Sequence, residues 1–470
     1  MTDTTKNPDQ PSISSRPRVA VAGATGFIGS ALAPILSERF DLVGLTRSSR
    51  ASLPSYDDVR QVDLFSRTDT LRGLQGVDFA IYLVHSMMPS ARLVQADFED
   101  LDLLCADNFA QCAAAQGVRH IVYVGGLQPS GPTTSAHLES RLEVERALAS
   151  YEVPVTTLRA GMIVGGNGSS FQILRRLVDR LPVMVCPSWT NTATHPVALQ
   201  DVVWAIEKTI DSPASGARVF DLGASEPCTY RELMATTAEE MGRKRYFVGV
   251  PLVTPALSRL WISAVTGAPK ALVAPLISSL RYEMLARTGP DYRLTGEPRT
   301  SVRDTLKHAL EEPAHVAEPR AFRHPIKKTK PTVLSVQRMR LPQGKDADWA
   351  ADEYLRWLPR ATGWFFPLRV RETDGVLSFT VFSWGPSLLR IARKPDTNRP
   401  VFRVLDGLLA RASPRGRLEF RAVLDGRTLI VAVHQFVPRL PWWIYRLTQA
   451  LGHAWVMARF RRHLARLDAA

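Results

Sequence analysis

Gly23-Ala24-Thr25-Gly26-Phe27-Ile28-Gly29 is the stretch that decides the fold of this 470-residue chain. It follows the small apolar run Val19-Ala20-Val21-Ala22, which reads as a strand, and it opens a segment from Ile28 to Arg39 that reads as a helix. A second strand, Leu42-Val43-Gly44-Leu45, comes next, so the turn joins strand to helix inside a βαβ unit. Each glycine has its own reason. Gly23 permits the tight bend, Gly26 lets backbone approach a pyrophosphate, and Gly29 lets the helix pack closely on the sheet. Unpaired N–H groups and the macrodipole at the helix start favour negative charge there.

The turn therefore predicts a nicotinamide dinucleotide held by Gly23, Thr25, Gly26, Phe27, Ile28 and Gly29. The end of the second strand bears on which one. An acidic residue there would accept the ribose hydroxyls of NAD(H), but the chain reads Leu45-Thr46-Arg47-Ser48-Ser49-Arg50. Arg47, with Arg50 close by, suits a 2′-phosphate, which favours NADP(H) over NAD(H). The plain alternative for Arg47 is a solvated surface arginine. Asp63, after the third strand, is placed either to reach the adenine or to cap a helix.

Outward from the turn, apolar strands recur at Arg60-Gln61-Val62, 79–84, 120–124 and 155–158, with helices between several of them. Continuous rather than alternating apolar strands indicate a Rossmann-type doubly wound parallel sheet, α/β in class. A substrate lobe follows to about residue 311, with the apolar segment 250–285 expected to form a pair of lid helices. Four prolines between 312 and 331 mark a linker. Residues 332–470 then read as an α+β domain: a strand from Thr332 to Arg340, a helix from Asp346 to Leu358, strands at 366–372, 377–383, 417–424 and 428–436, and a long helix from Trp442 to Leu467. This order suggests a helix-grip domain of the Bet v 1 or polyketide-cyclase kind. Domain bounds are thus 1–16 for a disordered tail, 17–311, 312–331 and 332–470.

Composition narrows the function classes. The tail lacks the apolar stretch of a signal peptide, no uninterrupted apolar run is long enough to span a bilayer, and the four cysteines form neither a disulfide framework nor a C-x-x-C pair, all of which fits a reducing cytoplasm. The net charge of +14 is uneven: residues 320–470 hold 28 Lys and Arg against 11 Asp and Glu, the rest 31 against 34. That asymmetry suits an anionic partner or a solvated basic face. No zinc finger, helix-turn-helix or aromatic RNA-binding signature is present, so neither a metal site nor a nucleic-acid partner is expected. The final helix mixes Trp442, Trp443, Tyr445, Leu451 and Trp455 with Arg446, Arg459 and Arg462. It reads either as an interfacial membrane helix, giving peripheral membrane contact, or as a helix that grips a sheet and wears arginines outside.

The segments Ala22 to Gly29, Tyr82-Leu83-Val84-His85-Ser86 and Leu158 to Gly165 resemble an atypical, extended short-chain dehydrogenase/reductase. The nearest likenesses are NmrA-like proteins, the accessory dinucleotide-binding subunit of respiratory complex I, and bacterial fusions with a C-terminal domain of unknown function. The resemblance implies that Val84, His85, Gly125, Gly161 and Met162 line the ribose and nicotinamide. It also places Ser169, Ser170, Phe171 and Met162 where an apolar substrate pocket opens, and makes Asp201 a helix cap. One departure stands out. The usual Ser and Tyr-x-x-x-Lys are replaced by Tyr123-Val124-Gly125-Gly126 and His137-Leu138-Glu139-Ser140-Arg141. His137 is the substitute acid/base candidate, with Arg141 one turn on, and a purely structural pair is the alternative. Three readings of function stay open: an NADP(H)-dependent oxidoreductase acting on a hydrophobic carbonyl or quinone-like compound, a non-catalytic NADP(H)-binding regulator or assembly factor, and a lipid- or isoprenoid-binding carrier working through the C-terminal domain.

Overall fold

The computed structural model describes residues 16–48, 53–85, 93–131, 135–212, 216–250, 263, 265–267, 277–312, 332–363, 367–382, 385–394 and 399–468. The expected tail up to residue 15, most of the expected lid segment and the linker from 313 to 331 lie outside the described residues, as do Ser49, Arg50 and Ser86.

The N-terminal domain runs β1 (Arg18–Ala22), α1 (Phe27–Leu36), β2 (Asp41–Thr46), β3 (Asp58–Gln61), α2 (Arg67–Gly73), β4 (Phe79–Tyr82), β5 (Leu93–Gln95), α3 (Phe98–Ala115), β6 (His120–Gly126), α4 (Ala136–Leu148) and β7 (Val155–Ala160). Together with an edge strand at Arg218–Leu222, six of these strands form a seven-stranded sheet ordered Arg218–Leu222, β7, β6, β4, β1, β2, β3. Every pairing in it is parallel. The sheet is the expected Rossmann type, and the reason is visible in its strands. Along β1, Val19 and Val21 face one apolar cluster while Ala20 and Ala22 face another, so both surfaces need helices over them. Strand order reverses between β1 and β4, which opens a crevice at their carboxyl ends. The glycine turn follows β1 and His85 follows β4, so both reach that crevice.

The substrate lobe is built from α5 (Ser169–Arg180), α7 (Tyr230–Glu240) and a helix at Val302–Glu311, packed around Phe171, Leu174, Val178, Leu233 and Leu306. Between them in sequence, α6 (Leu199–Ile210) packs on the parallel sheet instead. Asp201 does not cap α6, whose N-cap is Ala198. It accepts from the Thr300 N–H and hydroxyl at 3.0 and 2.9 Å, tying the approach to the last lobe helix onto the core.

The C-terminal domain is an antiparallel sheet of strands Val333–Arg340, Arg369–Thr373, Val376–Thr380, Ser387–Arg393, Val401–Asp406, Arg417–Val423 and Thr428–Phe436, with helices at Ala347–Thr362, Trp442–Leu447 and Gln449–Asp468. The Asp425-Gly426 hairpin forms as expected, with both residues at positive φ. Two strands, Ser387–Arg393 and Val401–Asp406, escaped the sequence reading because arginines interrupt their half-exposed apolar pattern. The expected single final helix is two, broken at Thr448, whose φ of −125° and ψ of −77° leave the helical region.

The two domains share a sheet edge. Strand Val333–Arg340 pairs antiparallel with Thr428–Phe436 on one side and parallel with β5 on the other. Leu429 and Val431 point toward Tyr354, Phe420 and Phe460 beneath the domain's own helices, whereas Ile430 and Ala432 join the core of the N-terminal domain. The strands Val333–Arg340, Arg417–Val423 and Thr428–Phe436 are therefore covered on both faces, and α3 is enclosed between two sheets, with thirteen of its eighteen residues buried.

Candidate functional site

The site starts at the glycine turn. Gly23 has φ of +98°, a conformation side-chain-bearing residues rarely adopt, and a Cβ on Gly29 would lie 2.5 Å from the Gly23 carbonyl oxygen. The Gly26 N–H donates to that same oxygen at 2.8 Å, closing the turn. Helix α1 begins at Gly26 with no side-chain cap and no acidic residue in its first turn. By contrast, Ser66 caps α2, and Thr229 and Glu232 form a capping box at α7. Solvent or a ligand must satisfy the first N–H groups of α1, as at the other helices without a side-chain cap, and the glycine-lined start fits a diphosphate.

A cavity of about 590 Å³ runs from this turn into the lobe. It brings together Gly23, Gly26, Phe27, Ile28, Gly29, His85, Gly125, Gly161 and Met162 from the expected cofactor set, and both His137 and Arg141. It ends among apolar side chains of the lobe, including Ile173, Leu177, Trp189 and Met234, with Ser169 and Ser170 at the rim of α5. Thr25, Arg47, Asp63 and Val84 are not in its lining. Thr25 and Arg47 are exposed, Arg47 just past the end of β2. Val84 turns away, against the core around α3. Phe171 is wholly buried in the lobe core rather than at the pocket mouth. Asp63 is no helix cap, since Ser66 takes that role, and it accepts instead from the Phe65 N–H at 3.1 Å. Burial pushes its carboxyl up, and Arg417 and Arg47 act against that. Arg417 comes from the C-terminal sheet and donates to the Phe65 carbonyl at 2.9 Å, so that domain reaches the outer end of the groove.

Midway along the cavity sits a group that sequence reasoning grasped only in part. His85 Nδ1 is hydrogen-bonded to the buried carboxylate of Asp102 on α3. With the carboxylate accepting, the proton is assigned to Nδ1, leaving Nε2 as a buried acceptor without a hydrogen-bond partner among the described residues. The His137 ring lies 5.2 Å from that of His85, centroid to centroid, and its Nδ1 is also unpartnered. Burial, then the Arg141 guanidinium, holds the His137 pKa down to about 3, and the same two causes lower that of His85. His137 thus faces the cavity as expected, but it is neutral at physiological pH. The premise of an imidazole titrating near neutrality does not survive its surroundings. Arg141 makes no ion pair among the described residues, and its guanidinium lines the cavity beside two neutral rings, with the Asp102 carboxylate bonded to His85 as the opposing charge. Asp102 was missed because it sits inside a helix that the sequence presents as simple sheet cover.

These features coincide with similarity to known proteins. Residues 19–181 match the model of the NAD dependent epimerase/dehydratase family. The auxiliary protein GraX of Staphylococcus aureus (strain NCTC 8325 / PS 47) is 29% identical over 146 residues, covering 30% of this chain and 43% of that protein, so the chain spans less than half the length of this curated relative. Among solved structures, triphenylmethane reductase of Citrobacter sp. superposes with a TM-score of 0.50 at 19% identity, over 62% of this chain and 99% of that one. The same enzyme complexed with NADP(H) gives 0.50 at 18% identity, with the same shares covered. Identity at this level establishes the fold. The family match itself is confined to residues 19–181.

Proposed function

We propose that the chain is an NADP(H)-dependent reductase of a hydrophobic carbonyl or quinone-like compound. The observation that carries this reading is the single cavity joining an uncapped, glycine-lined helix start to an apolar pocket by way of Gly125, Gly161, His85 and His137. A dinucleotide bound along it supplies hydride at its nicotinamide ring. The chain's own residues do the rest. α1 and the glycines bind the diphosphate, Arg47 pairs with the 2′-phosphate, and Met162, Ile173, Leu177 and Trp189 exclude water from the substrate end. Arg141, unpaired and beside Gly126, attracts the negative charge that develops on a carbonyl oxygen during reduction. His137, a neutral ring that still carries one N–H, donates to that oxygen, His85 is held beside it by Asp102 with Nε2 as an acceptor, and the proton that completes the reduction is taken from solvent. The NADP(H) complex of a reductase with this fold supports the choice of cofactor.

A second reading, a non-catalytic NADP(H)-binding regulator, is favoured by one observation: His137, the acid/base candidate in place of the usual tyrosine, is held down to a pKa of about 3 by burial and Arg141. NADPH oxidation by the purified protein, assayed with a panel of quinones and hydrophobic aldehydes, separates the two. Turnover that Arg141→Ala diminishes supports the reductase, whereas tight NADPH binding without turnover supports the regulator. If Gly26→Asp leaves NADPH binding intact, both readings fail.

A further inference from the structure

Along the two final helices the side chains that face away from the sheet are not the ones a solvated helix would carry. Tyr445, Ala450, Met457, Phe460 and Leu464 are buried against the sheet and the helix Ala347–Thr362. On the other side, Trp443, Leu447, Leu451 and Trp455 stand 67, 68, 61 and 45% exposed. They are four residues apart in sequence, two on each of the final helices, and all four are on the side left exposed to solvent. Four large apolar side chains left in water on one helix pair cost free energy, and three of them are more exposed than any other large apolar side chain among the described residues.

The charges around these side chains indicate what covers them. Arg446, Arg459, Arg461, Arg462 and Arg466 lie on the same helix pair, and none makes an ion pair among the described residues. Arg459 sits 4.9 Å over the Trp455 ring. The one acidic residue there, Asp468, is held by Arg340 at 2.7 Å. Several arginines elsewhere in the same domain are paired: Arg338 with Asp100 and Glu143, Arg390 with Asp406, Arg393 with Asp348 and Asp352. A tryptophan at each end, leucines between and free arginines beside them match the layered chemistry of an anionic bilayer surface, where indole rings sit at headgroup depth, aliphatic side chains below and guanidinium groups against phosphate and carboxylate. No helix among the described residues is long and apolar enough to cross a membrane, so the contact is with one leaflet. A second copy of the chain is a poor occupant, because a symmetric contact would bring ten unpaired arginines together. Nucleic acid would leave the leucines unused.

We propose that Trp443, Leu447, Leu451 and Trp455, flanked by Arg446, Arg459 and Arg462, form an interfacial docking surface for an anionic lipid membrane. The full-length protein should co-sediment with phosphatidylcholine vesicles that contain phosphatidylserine, bind vesicles of phosphatidylcholine alone at least about tenfold more weakly, and release as salt rises. Leu447→Ser with Leu451→Ser, and separately Arg459→Gln with Arg462→Gln, should each lower partitioning by on the order of tenfold or more. All four side chains are exposed, so both double variants should keep the parent's thermal transition. The proposal is overturned by absence of binding to either vesicle at low salt, or by equal binding to both that the arginine variant leaves unchanged. A concentration-dependent dimer dissolved by Leu451→Arg would also overturn it, since a second copy would then be the cover. None of these outcomes depends on NADPH or on turnover.

Discussion

The N-terminal domain presents charge-handling surfaces in two places, and they are built on opposite plans. At the start of α1 no side chain caps the backbone donors and no acidic residue lies in the first turn, and Arg141, which lines the same cavity, makes no ion pair among the described residues. Along α3 everything is closed. Asp107 and Asn108 meet Arg421, Asp100 meets Arg338, and Gln111 meets Arg67 and Arg399, all buried or partly so beneath the C-terminal sheet. Glu419, fully buried, is held far below the usual carboxylate range by Arg421 first and then by Arg399, His434 and Arg417, against the opposing push of burial. One surface is incomplete without a ligand, and the other is completed by the chain itself. Part of the basic excess of residues 320–470 is thereby accounted for: its anionic partner is the acidic flank of the same protein.

The comparison breaks most easily at Arg421. Its guanidinium donates to Glu419 at 2.9 Å and to Asn108 at 2.7 Å and is hydrogen-bonded to Asp107 as well. Arg421→Ala would take the ion-pair partner from buried Asp107 and the first of three from Glu419, a loss expected to cost about 3–5 kcal/mol. Chemical denaturation should show it, together with an earlier separate transition for the C-terminal domain. Replacing Arg421 and Asp107 together by apolar residues should recover part of the loss, since Glu419 keeps Arg399 at 3.0 Å and Asp107 no longer stands unpaired. If Arg421→Ala unfolds like the parent, the closed surface is not a stabilising unit.

Next in size is Gly29→Ala. A Cβ placed 2.5 Å from the Gly23 oxygen forces α1 off the turn that must receive the diphosphate. The NADPH dissociation constant, followed by cofactor fluorescence, should rise by at least about thirtyfold, or ~2 kcal/mol. Gly131→Ala, where nothing lies within 4 Å of the new methyl, is the control and should change nothing. Equal effects from both would mean that the turn is an ordinary loop.

How far each surface could be read from the sequence follows from the distance over which it is written. The glycine turn occupies seven consecutive residues, and its strand and helix adjoin it, so β1, α1 and the sheet class follow directly. The Arg421 to Asp107 contact joins residues 314 positions apart, and β5, three residues long, carries no periodic signal. One clue was present: 98–115 reads FEDLDLLCADNFAQCAAA, apolar or small around much of its circumference, which a helix covering a sheet on one side has no reason to be. Asp102 hides in that same helix, and its pairing with His85 depends on how α3 and β4 meet. Val84 and His85 adjoin in sequence yet face opposite ways, so the resemblance that nominated both could not separate them. His137 was found by position, but its neutrality comes from burial and from Arg141, which only the assembled cavity reveals.

A pH experiment sharpens the closed surface specifically. His434 is enclosed by Glu419, Arg417, Arg421 and Arg399, and burial together with Arg417 lowers its pKa to about 3. Glu419 is already committed to the three arginines and does not rescue the imidazolium. Because the folded value lies below the unfolded value near 6.5, the unfolded chain binds the extra proton between the two. The stability contribution is therefore complete above the unfolded pKa and falls as pH drops toward 3, by about 1.4 kcal/mol per pH unit for this one group. Denaturation midpoints taken from about pH 7 to about pH 5 should fall less steeply in His434→Phe than in the parent. An unchanged slope would place the acid-sensitive group elsewhere, His453 being the other buried candidate in this domain.

The smallest expected effect tests whether the open surface extends to its outer end. Arg47 is exposed just beyond β2, outside the cavity lining, and only its carbonyl has a recorded contact, from Gln61 Nε2 at 3.2 Å. A guanidinium in water that meets a 2′-phosphate contributes about 1 kcal/mol after screening, so Arg47→Ala should weaken NADPH binding by roughly fivefold and leave NADH binding where it was. The ratio of the two constants matters more than either alone, because a general loosening of the groove would move both. Raising salt should shrink the parent's preference toward that of the variant. Should Arg47→Ala leave the ratio unchanged, Arg47 is a solvated side chain, and the excess positive charge near Asp63 would direct the search for the phosphate partner to Arg417, across the domain boundary.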